Sequence, residues 1–143
     1  VVKDQGILHA SSGSLQCGML NVKQSVADGI QERFDLELLS EQLVSQAVEH
    51  KTVRLQGKEH DVAALVEAAM REVVERIHDE TRRQLGLGIE LDRVLFVGGG
   101  TVALSKHIAN WFPHQAIAEH PAFANARGML KYLRYVCEAS DAA

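Results

Sequence analysis

The sequence predicts a mixed α/β domain, and three observations support this prediction. Apolar residues recur every three or four positions in several segments, which is the spacing of amphipathic helices. Short apolar runs bounded by glycines and turn residues lie between those segments, as strands do. The length of 143 residues and the apolar content of 46% fit one globular domain over residues 1–143, with a core of its own.

The N-terminal part is expected to form a hairpin followed by two helices. Asp4-Gln5-Gly6 is a turn signal between the strands Val1–Lys3 and Ile7–Ala10. A helix is expected to begin at Gly18, and its apolar face is formed by Met19, Val22, Val26, Ile30 and Phe34. A shorter helix follows, with the same spacing at Leu39, Leu43, Val44, Ala47 and Val48.

The middle of the chain predicts a small hairpin and a long helix. The hairpin strands are Thr52–Leu55 and Lys58–His60, and Gln56-Gly57 is the turn between them. Asp61 is a suitable N-cap for the helix, which Gly86 and Gly88 are expected to end. The buried stripe of this helix consists of Val62, Leu65, Val66, Ala69, Val73 and Ile77.

The C-terminal part predicts two further strands, each followed by a helix. Arg93–Val97 is an apolar run bounded by glycines, typical of a central strand, and Gly98-Gly99-Gly100 makes a tight turn after it. A helix over Val102–Trp111 should stop at Pro113, before a strand over Gln115–Ala118. The last helix is expected over Ala122–Val136, and its inward side chains are Phe123, Ala126, Leu130, Leu133 and Val136.

Composition excludes several classes of function. The net charge of −4 is not that of a nucleic-acid-binding domain, so contact with DNA would need a partner or a local basic patch. No apolar run approaches the ~20 residues of a membrane span, and no signal peptide is evident. The seven histidines lack metal-ligand spacing, and Cys17 and Cys137 are isolated thiols. We therefore expect a cytoplasmic protein with no metal site of its own and no complete catalytic constellation.

The strongest local signal is the run from Val94 to Thr101, VLFVGGGT. A buried strand delivers three glycines to a sheet edge, where backbone without a Cβ can approach a ligand closely. The following helix N-terminus offers N–H groups to an anion, so a nucleotide is the expected ligand. The run is neither the GxGxxG of dinucleotide-binding domains nor a P-loop with its lysine. A purely structural turn is the alternative.

Two segments resemble the actin-like ATPase superfamily, which includes actin, heat-shock chaperone ATPases and sugar kinases. LDRVLFVGGGTVALSKHI, from Leu91 to Ile108, resembles the strand, turn and helix that bind adenosine there. EHPAFANARGMLKY, from Glu119 to Tyr132, resembles the segment that closes the second lobe of bacterial actin-like proteins. A hairpin also leads through a Ser/Gly turn to a helix in the segment from Leu8 to Leu20, LHASSGSLQCGML. This order of elements is most similar to that of plasmid-segregation actins of the ParM/StbA type.

The resemblance implies a ribonuclease-H-like lobe: most of the C-terminal lobe, as a mixed sheet with helices packed on it. ATP, or ADP, lies between two such lobes in the superfamily, and Mg²⁺ accompanies it. The first lobe and the phosphate turn of the second are expected to lie outside this chain, as is the innermost strand, which leaves an unpaired sheet edge. The parent protein would then be an ATPase, and this chain alone would be inactive.

The resemblance also implies candidate nucleotide-binding residues. Gly98, Gly99, Gly100 and Thr101 should lie against the adenosine and the α-phosphate, and Gly18 matches the glycine that opens the helix beneath the nucleotide. In the family the second helix supplies polar contacts to the ribose or adenine, and Gln46, Glu49 and His50 are the residues nearest to those positions here. Asn125 belongs to a family motif and either caps the last helix or contacts ligand, whereas Lys106 is expected to be solvated.

The implied function is that of the nucleotide-binding half of a filament-forming ATPase that segregates plasmid DNA. Its partners would be copies of itself and a DNA-bound adaptor, with no direct contact to nucleic acid or membrane. Three alternatives stay open: another member of the superfamily (a cell-shape actin, a chaperone-like ATPase or a small-molecule kinase), a non-catalytic scaffold that binds proteins through its helices, and, less well matched, a dinucleotide-binding domain.

Overall fold

The computed structural model describes residues 2–3, 6–7, 9 and 12–141. The chain divides into two compact units, Val1–Leu85 and Gly86–Ala143, each with elements and contacts of its own. The single domain over residues 1–143 therefore stays a prediction. Within the described ranges, every helix is too short or too polar to cross a membrane.

The first unit contains two antiparallel hairpins and three helices. Its elements in chain order are β1 (Val2–Lys3), β2 (Gly6–Ile7), α1 (Met19–Phe34), α2 (Glu41–His50), β3 (Thr52–Leu55), β4 (Lys58–Asp61) and α3 (Ala63–Leu85). Val2 lies opposite Ile7 in the first hairpin, and Val53 lies opposite His60 in the second. Each of these elements was predicted, but β2 begins at Gly6, which was assigned to the turn, and His9 lies in a 3₁₀ turn instead of the predicted strand. Five residues of the predicted first hairpin lie outside the described residues: Val1, Asp4, Gln5, Leu8 and Ala10.

The core of the first unit lies between α1 and α3. Val22, Val26 and Ile30 of α1 have no exposed surface, as their spacing along one helical face predicts. At Gly29 the two helices come close together, because an added β-carbon would lie 3.1 Å from a methyl group of Leu65 on α3. The buried part of α3 is Val66, Ala69, Met70, Val73 and Val74.

Local hydrogen bonds set the ends of these helices. The Ser40 hydroxyl accepts from the backbone N–H of Leu43 and caps α2, which ends at Lys51 in the left-handed conformation. The Asp61 carboxylate accepts from the backbone N–H of Ala63 at 2.8 Å and so caps the first N–H of α3, although Val62 stands between Asp61 and the helix. Gly86, with φ of +58°, ends α3 as expected.

The second unit is built on a short parallel sheet. Its elements are β5 (Val94–Phe96), α4 (Gly100–Leu104), β6 (Gln115–Ile117), a 3₁₀ turn (Pro121–Phe123) and α5 (Ala124–Asp141). Leu95 of β5 lies opposite Ala116 of β6. A small core forms beside the sheet, where Thr101, Leu104, Ile108 and Phe112 are buried.

The helix after the glycine turn is shorter than predicted: α4 ends at Leu104, whereas the prediction extended to Trp111. The backbone N–H of His107 bonds to the carbonyl of Leu104, three residues back, so the chain tightens into turns. The Gln115 side chain then holds this loop, since it donates to the Ile108 carbonyl and accepts from the N–H of Phe112. These local side-chain bonds are present where the predicted helix, which Pro113 was expected to end, would have continued.

The prediction that Arg93–Val97 is a buried central strand is wrong for the described residues. β5 has only β6 as a neighbour there, and Leu95 and Val97 are 50% and 39% exposed. The described strands form three separate two-stranded sheets, two antiparallel and one parallel. The unpaired sheet edge that the resemblance implies, at the place of a missing innermost strand, stays a prediction.

The last helix is present, but its predicted inward face is wrong. Phe123, Leu130 and Leu133 are 68%, 51% and 58% exposed, and Ala126 is exposed as well. The side chain of Val136 lies outside the described residues. An apolar stripe is buried only where another surface packs against it, and the described residues of the second unit leave that of α5 uncovered.

Candidate nucleotide-binding site

The glycine turn between β5 and α4 leaves open space beside its backbone. Gly98 has φ of +100°, a left-handed conformation that favours glycine. A β-carbon added at Gly98 or Gly99 would meet no atom within 4 Å among the described residues. A ligand can therefore approach this backbone closely, and the role of the turn in binding a nucleotide stays a prediction.

Thr101 braces this turn from within the second unit. Its side chain is buried, with 8% of the residue exposed, and its hydroxyl donates to the Val97 carbonyl at 2.9 Å. Its backbone N–H bonds to the carbonyl of Gly98 at 3.2 Å. The threonine hydroxyl thus ties the end of the strand to the first turn of α4 and fixes the path of the glycines.

The two C-terminal segments that carry the resemblance meet at this turn. The backbone N–H of Gly98 donates to the carbonyl of Pro121 at 2.7 Å, and that of Ala118 donates to the carbonyl of Phe96. His120 precedes the 3₁₀ turn with φ of +46° and is exposed. Neither His120 nor Pro121 was among the predicted site residues, although their place in the second motif was a signal for them.

Other polar residues of the second unit lie on its surface. Lys106 is exposed, as expected. Asn125 is exposed in the first turn of α5, a position compatible both with capping this helix and with contacting a ligand. The Arg127 guanidinium donates to the carbonyl of Glu119, so this arginine ties α5 to the chain just before the 3₁₀ turn.

Gly18 opens α1 in the first unit. Its backbone N–H donates to the Asn21 side-chain oxygen at 2.9 Å, while its carbonyl accepts from the first turn of the helix. Gly18 brings no side-chain acceptor to the first helical N–H groups, and a β-carbon there would meet no described atom within 4 Å. A helix of this length with an unobstructed first turn is suited to an anionic ligand.

Gln46 and Glu49 lie one turn apart on α2, also in the first unit. Both are exposed, and His50 is exposed at the C-terminal end of the same helix. The opposite face of α2 is buried through Val44 and Ala47. This arrangement presents an amide and a carboxylate together toward solvent, which is the chemistry that ribose hydroxyls or an adenine amino group require.

A cleft of about 450 Å³ lies just before Gly18 in the first unit. It is lined by the segment from Ser12 to Cys17 and by the C-terminal half of α3, including Ile77, Thr81 and Leu85. Glu80 lies on its wall and accepts from the Gln84 amide, with the Arg83 guanidinium on its other oxygen. These hydrogen bonds hold the pKa of the Glu80 carboxyl below its usual value, so it remains an anion.

The resemblance implies two bound groups, a nucleotide and Mg²⁺, and the described residues fit the two differently. The open backbone at Gly98 and Gly99 suits a nucleotide. Among the described residues, however, no three His, Cys, Asp or Glu side chains are placed to hold a metal ion.

A family model of archaeal actin homologues, described as MreB-like and C-terminal, matches residues 1–110. This match covers most of the chain and includes the strand, the glycine turn and α4. No curated protein sequence matches the chain.

Solved structures of actin-like proteins share the fold. The non-polymerisable quadruple mutant of pCBH ParM is 20% identical, with a TM-score of 0.82 over 90% of this chain and 39% of that one. A 15-stranded ParM filament from Clostridium botulinum gives 19% identity and a TM-score of 0.80, over 87% and 37%. Ta0583, an archaeal actin homologue, gives 21% identity and 0.76, over 92% and 42%.

This chain therefore spans well under half the length of the structures it matches. At these identities the likeness establishes the fold, which is that of a C-terminal actin-like lobe similar to ParM. The family match and the shared fold agree with the two C-terminal motifs. The chain belongs to the family of archaeal actin homologues with an MreB-like C-terminal domain.

Proposed function

We propose that this chain is the nucleotide-binding half of a filament-forming actin-like ATPase that segregates plasmid DNA in the cytoplasm. The observation that carries the proposal is the open glycine turn in a chain with an actin-like fold. We further propose that the two compact units together make up one lobe over residues 1–143. The rest of the ATPase would then be supplied by other parts of a longer protein.

The role proposed for this chain is to bind and orient ATP or ADP. Gly98, Gly99 and Gly100 would let the adenosine and the α-phosphate contact backbone, while Thr101 holds the turn in place. Gly18 would present the first turn of α1 to the ligand. Gln46 and Glu49 would contact the ribose or the base.

We assign no hydrolytic step to this chain. ATP hydrolysis needs a positioned water and stabilisation of the phosphate charge, for which Mg²⁺ is the usual cofactor. The described residues offer no carboxylate cluster for that ion. We therefore expect the chain alone to bind nucleotide without turning it over.

Self-association is the proposed consequence of nucleotide binding. One solved relative is a ParM filament and another is a ParM mutant that does not polymerise. The net charge of −4 disfavours direct contact with DNA. The proposal therefore includes a DNA-bound adaptor protein as the link between a filament and its plasmid.

Nucleotide binding is tested most directly at Gly99. This residue has helical backbone and open space around it, so Gly99→Gln adds a side chain to the turn without backbone strain. We expect the affinity for a fluorescent ATP analogue to fall at least about tenfold. Gly128→Gln is the matched control, since Gly128 is also helical with no described atom within 4 Å of an added β-carbon.

If both variants bind the ATP analogue as tightly as the wild type, the nucleotide does not bind at the glycine turn. Filament formation needs a second measurement, namely sedimentation of the full-length parent with ATP, with ADP and without nucleotide. Pelleting that requires ATP and reverses after hydrolysis is expected. Binding without pelleting would favour a chaperone-like or kinase-like member of the superfamily.

A further inference from the structure

Two loops follow the parallel strands of the second unit, and both leave the carboxyl end of their strand. The glycine turn follows β5, and the loop from Ala118 to His120 follows β6, its neighbour in the sheet. In open α/β sheets, ligands bind outside the carboxyl ends of parallel strands. The proposed function uses the glycine turn at this edge, so the loop after β6 is the adjacent wall of the same site.

Hydrogen bonds hold the loop after β6 against the glycine turn. The Pro121 carbonyl accepts from the N–H of Gly98 at 2.7 Å, and the His120 carbonyl accepts from the N–H of Phe123 at 3.0 Å. His120 has φ of +46°, a left-handed conformation that is uncommon for residues other than glycine. Such a conformation persists only where its surroundings hold it, and positions of this kind cluster at ligand sites.

The His120 side chain is an aromatic ring beside an unfilled space. It is 73% exposed, and its Nε2 lies 3.9 Å from the Glu119 carboxylate, which is too far for a hydrogen bond. A β-carbon added at Gly98 would meet no described atom within 4 Å, so the imidazole does not fill the space at the turn. A flat ligand can therefore enter between the glycine backbone and this ring.

The charges of the two loops favour the base of a nucleotide over its phosphates as the group beside His120. Residues 97–105 and 118–123 contain no lysine and no arginine, and Glu119 adds a carboxylate that is 87% exposed. The Arg127 guanidinium reaches the Glu119 carbonyl, so its charge balances that carboxylate and leaves no net positive charge for a phosphate. An imidazole ring, in contrast, stacks well on a nucleotide base.

We propose that His120 is a base-binding residue, whose imidazole ring stacks on the base of bound ATP or ADP. This inference rests on the proposed function and deepens it, because it assigns one face of the base to the loop after β6. Stacking uses the face of the base and leaves its edge and the ribose for the polar contacts proposed for Gln46 and Glu49.

The test measures the affinities of the full-length parent for ATP, ADP and adenosine, by competition with a fluorescent ATP analogue. His120→Asn removes the ring and introduces a residue type that tolerates left-handed backbone. We expect all three ligands to bind more weakly by the same factor, at least about fivefold, because they share the base. A loss for ATP and ADP that spares adenosine would indicate a phosphate contact and overturn the proposal.

His114→Asn is the matched control. His114 is also exposed, but it precedes β6 and so lies at the amino end of the strand, away from the glycine turn. Its replacement should leave the three affinities unchanged, and equal losses in both histidine variants would overturn the proposal.

Gly99→Gln separates this inference from the proposed function. If Gly99→Gln weakens binding and His120→Asn does not, the nucleotide binds at the glycine turn without stacking on His120, and only the present inference fails. If the parent binds no adenine nucleotide, the proposed function fails, and the inference fails with it.

A second readout observes the ring directly by NMR. The carbon-bound ring protons of His120, assigned by their absence in His120→Asn, should move upfield when ADP binds, because the ring current of a stacked base shields them. The corresponding protons of His114 should keep their shifts. His120 signals that stay in place at saturating ADP would contradict stacking, whatever the affinities show.

Discussion

Two glycines after α3 share a left-handed backbone but differ in their surroundings. Gly86 has φ of +58° and open space around it. Gly88 has φ of +66°, and an added β-carbon would lie 2.5 Å from the Phe112 ring. Phe112 is itself buried in the small core of the second unit. The residue type at position 88 therefore depends on packing as well as on backbone conformation.

This difference gives a matched pair of variants. Gly86→Ala should lower the free energy of unfolding by about 1 kcal/mol through backbone strain alone. Gly88→Ala should lower it by about 2–4 kcal/mol, because displacement of the Phe112 ring adds to the same strain. Urea unfolding measures both, and equal losses would show that Phe112 moves aside freely.

Glu80 gives the first unit an acid-dependent contribution to stability. Hydrogen bonds from Gln84 and then Arg83 lower the pKa of its carboxyl in the folded state. A lowered folded pKa means that the contribution is present above the unfolded pKa, about 4.3, and is lost as the pH falls through the folded value.

Glu80→Gln should accordingly be less stable than the wild type at neutral pH, and this difference should shrink below about pH 4.3. Chemical denaturation across a pH series measures the difference. Glu75→Gln removes the same charge from an exposed position on α3 and serves as the control. If the wild type remains more stable than Glu80→Gln by the same amount in acid, the Glu80 carboxylate is not the source of the difference.

At the scale of elements, the packing of α1 on α3 is the main source of stability in the first unit. Ile30 is among its largest fully buried side chains, whereas Leu20 on the same helix is 78% exposed. Ile30→Ala should cost about 2–5 kcal/mol of unfolding free energy through lost burial and the cavity left behind. Leu20→Ala should change it by no more than about 0.5 kcal/mol. Thermal or urea unfolding compares the two, and similar costs would contradict this packing.

At the scale of the whole molecule, the two units differ in how much apolar surface they bury. The first unit contains most of the fully buried side chains, while in the second unit the strands are half-buried to exposed and the described residues 125–135 of α5 are exposed. Amide hydrogen exchange should therefore be slowest in α1 and α3 and fast in α5 at low protein concentration. Uniform protection across the chain would contradict this distribution of stability.

Periodic spacing was enough to predict the elements that bury one face. α1, α2, α3 and the hairpin β3–β4 lie where the apolar positions indicated, because helix and strand periods are local properties of the chain. The helix α4 is shorter than predicted, and in the loop after it the Gln115 side chain bonds to the backbone of Ile108 and Phe112. The spacing of apolar residues contains no information about such side-chain bonds.

For the candidate site, the sequence indicated the glycine turn and the actin-like family by itself, since both depend on contiguous residues. It did not reveal that Pro121 bonds to Gly98, nor that the Thr101 hydroxyl is used within the turn. It also assigned an inward face to α5, which is exposed in the structure. An amphipathic pattern specifies which face of a helix is apolar. Whether another surface packs against that face depends on contacts between segments distant in sequence.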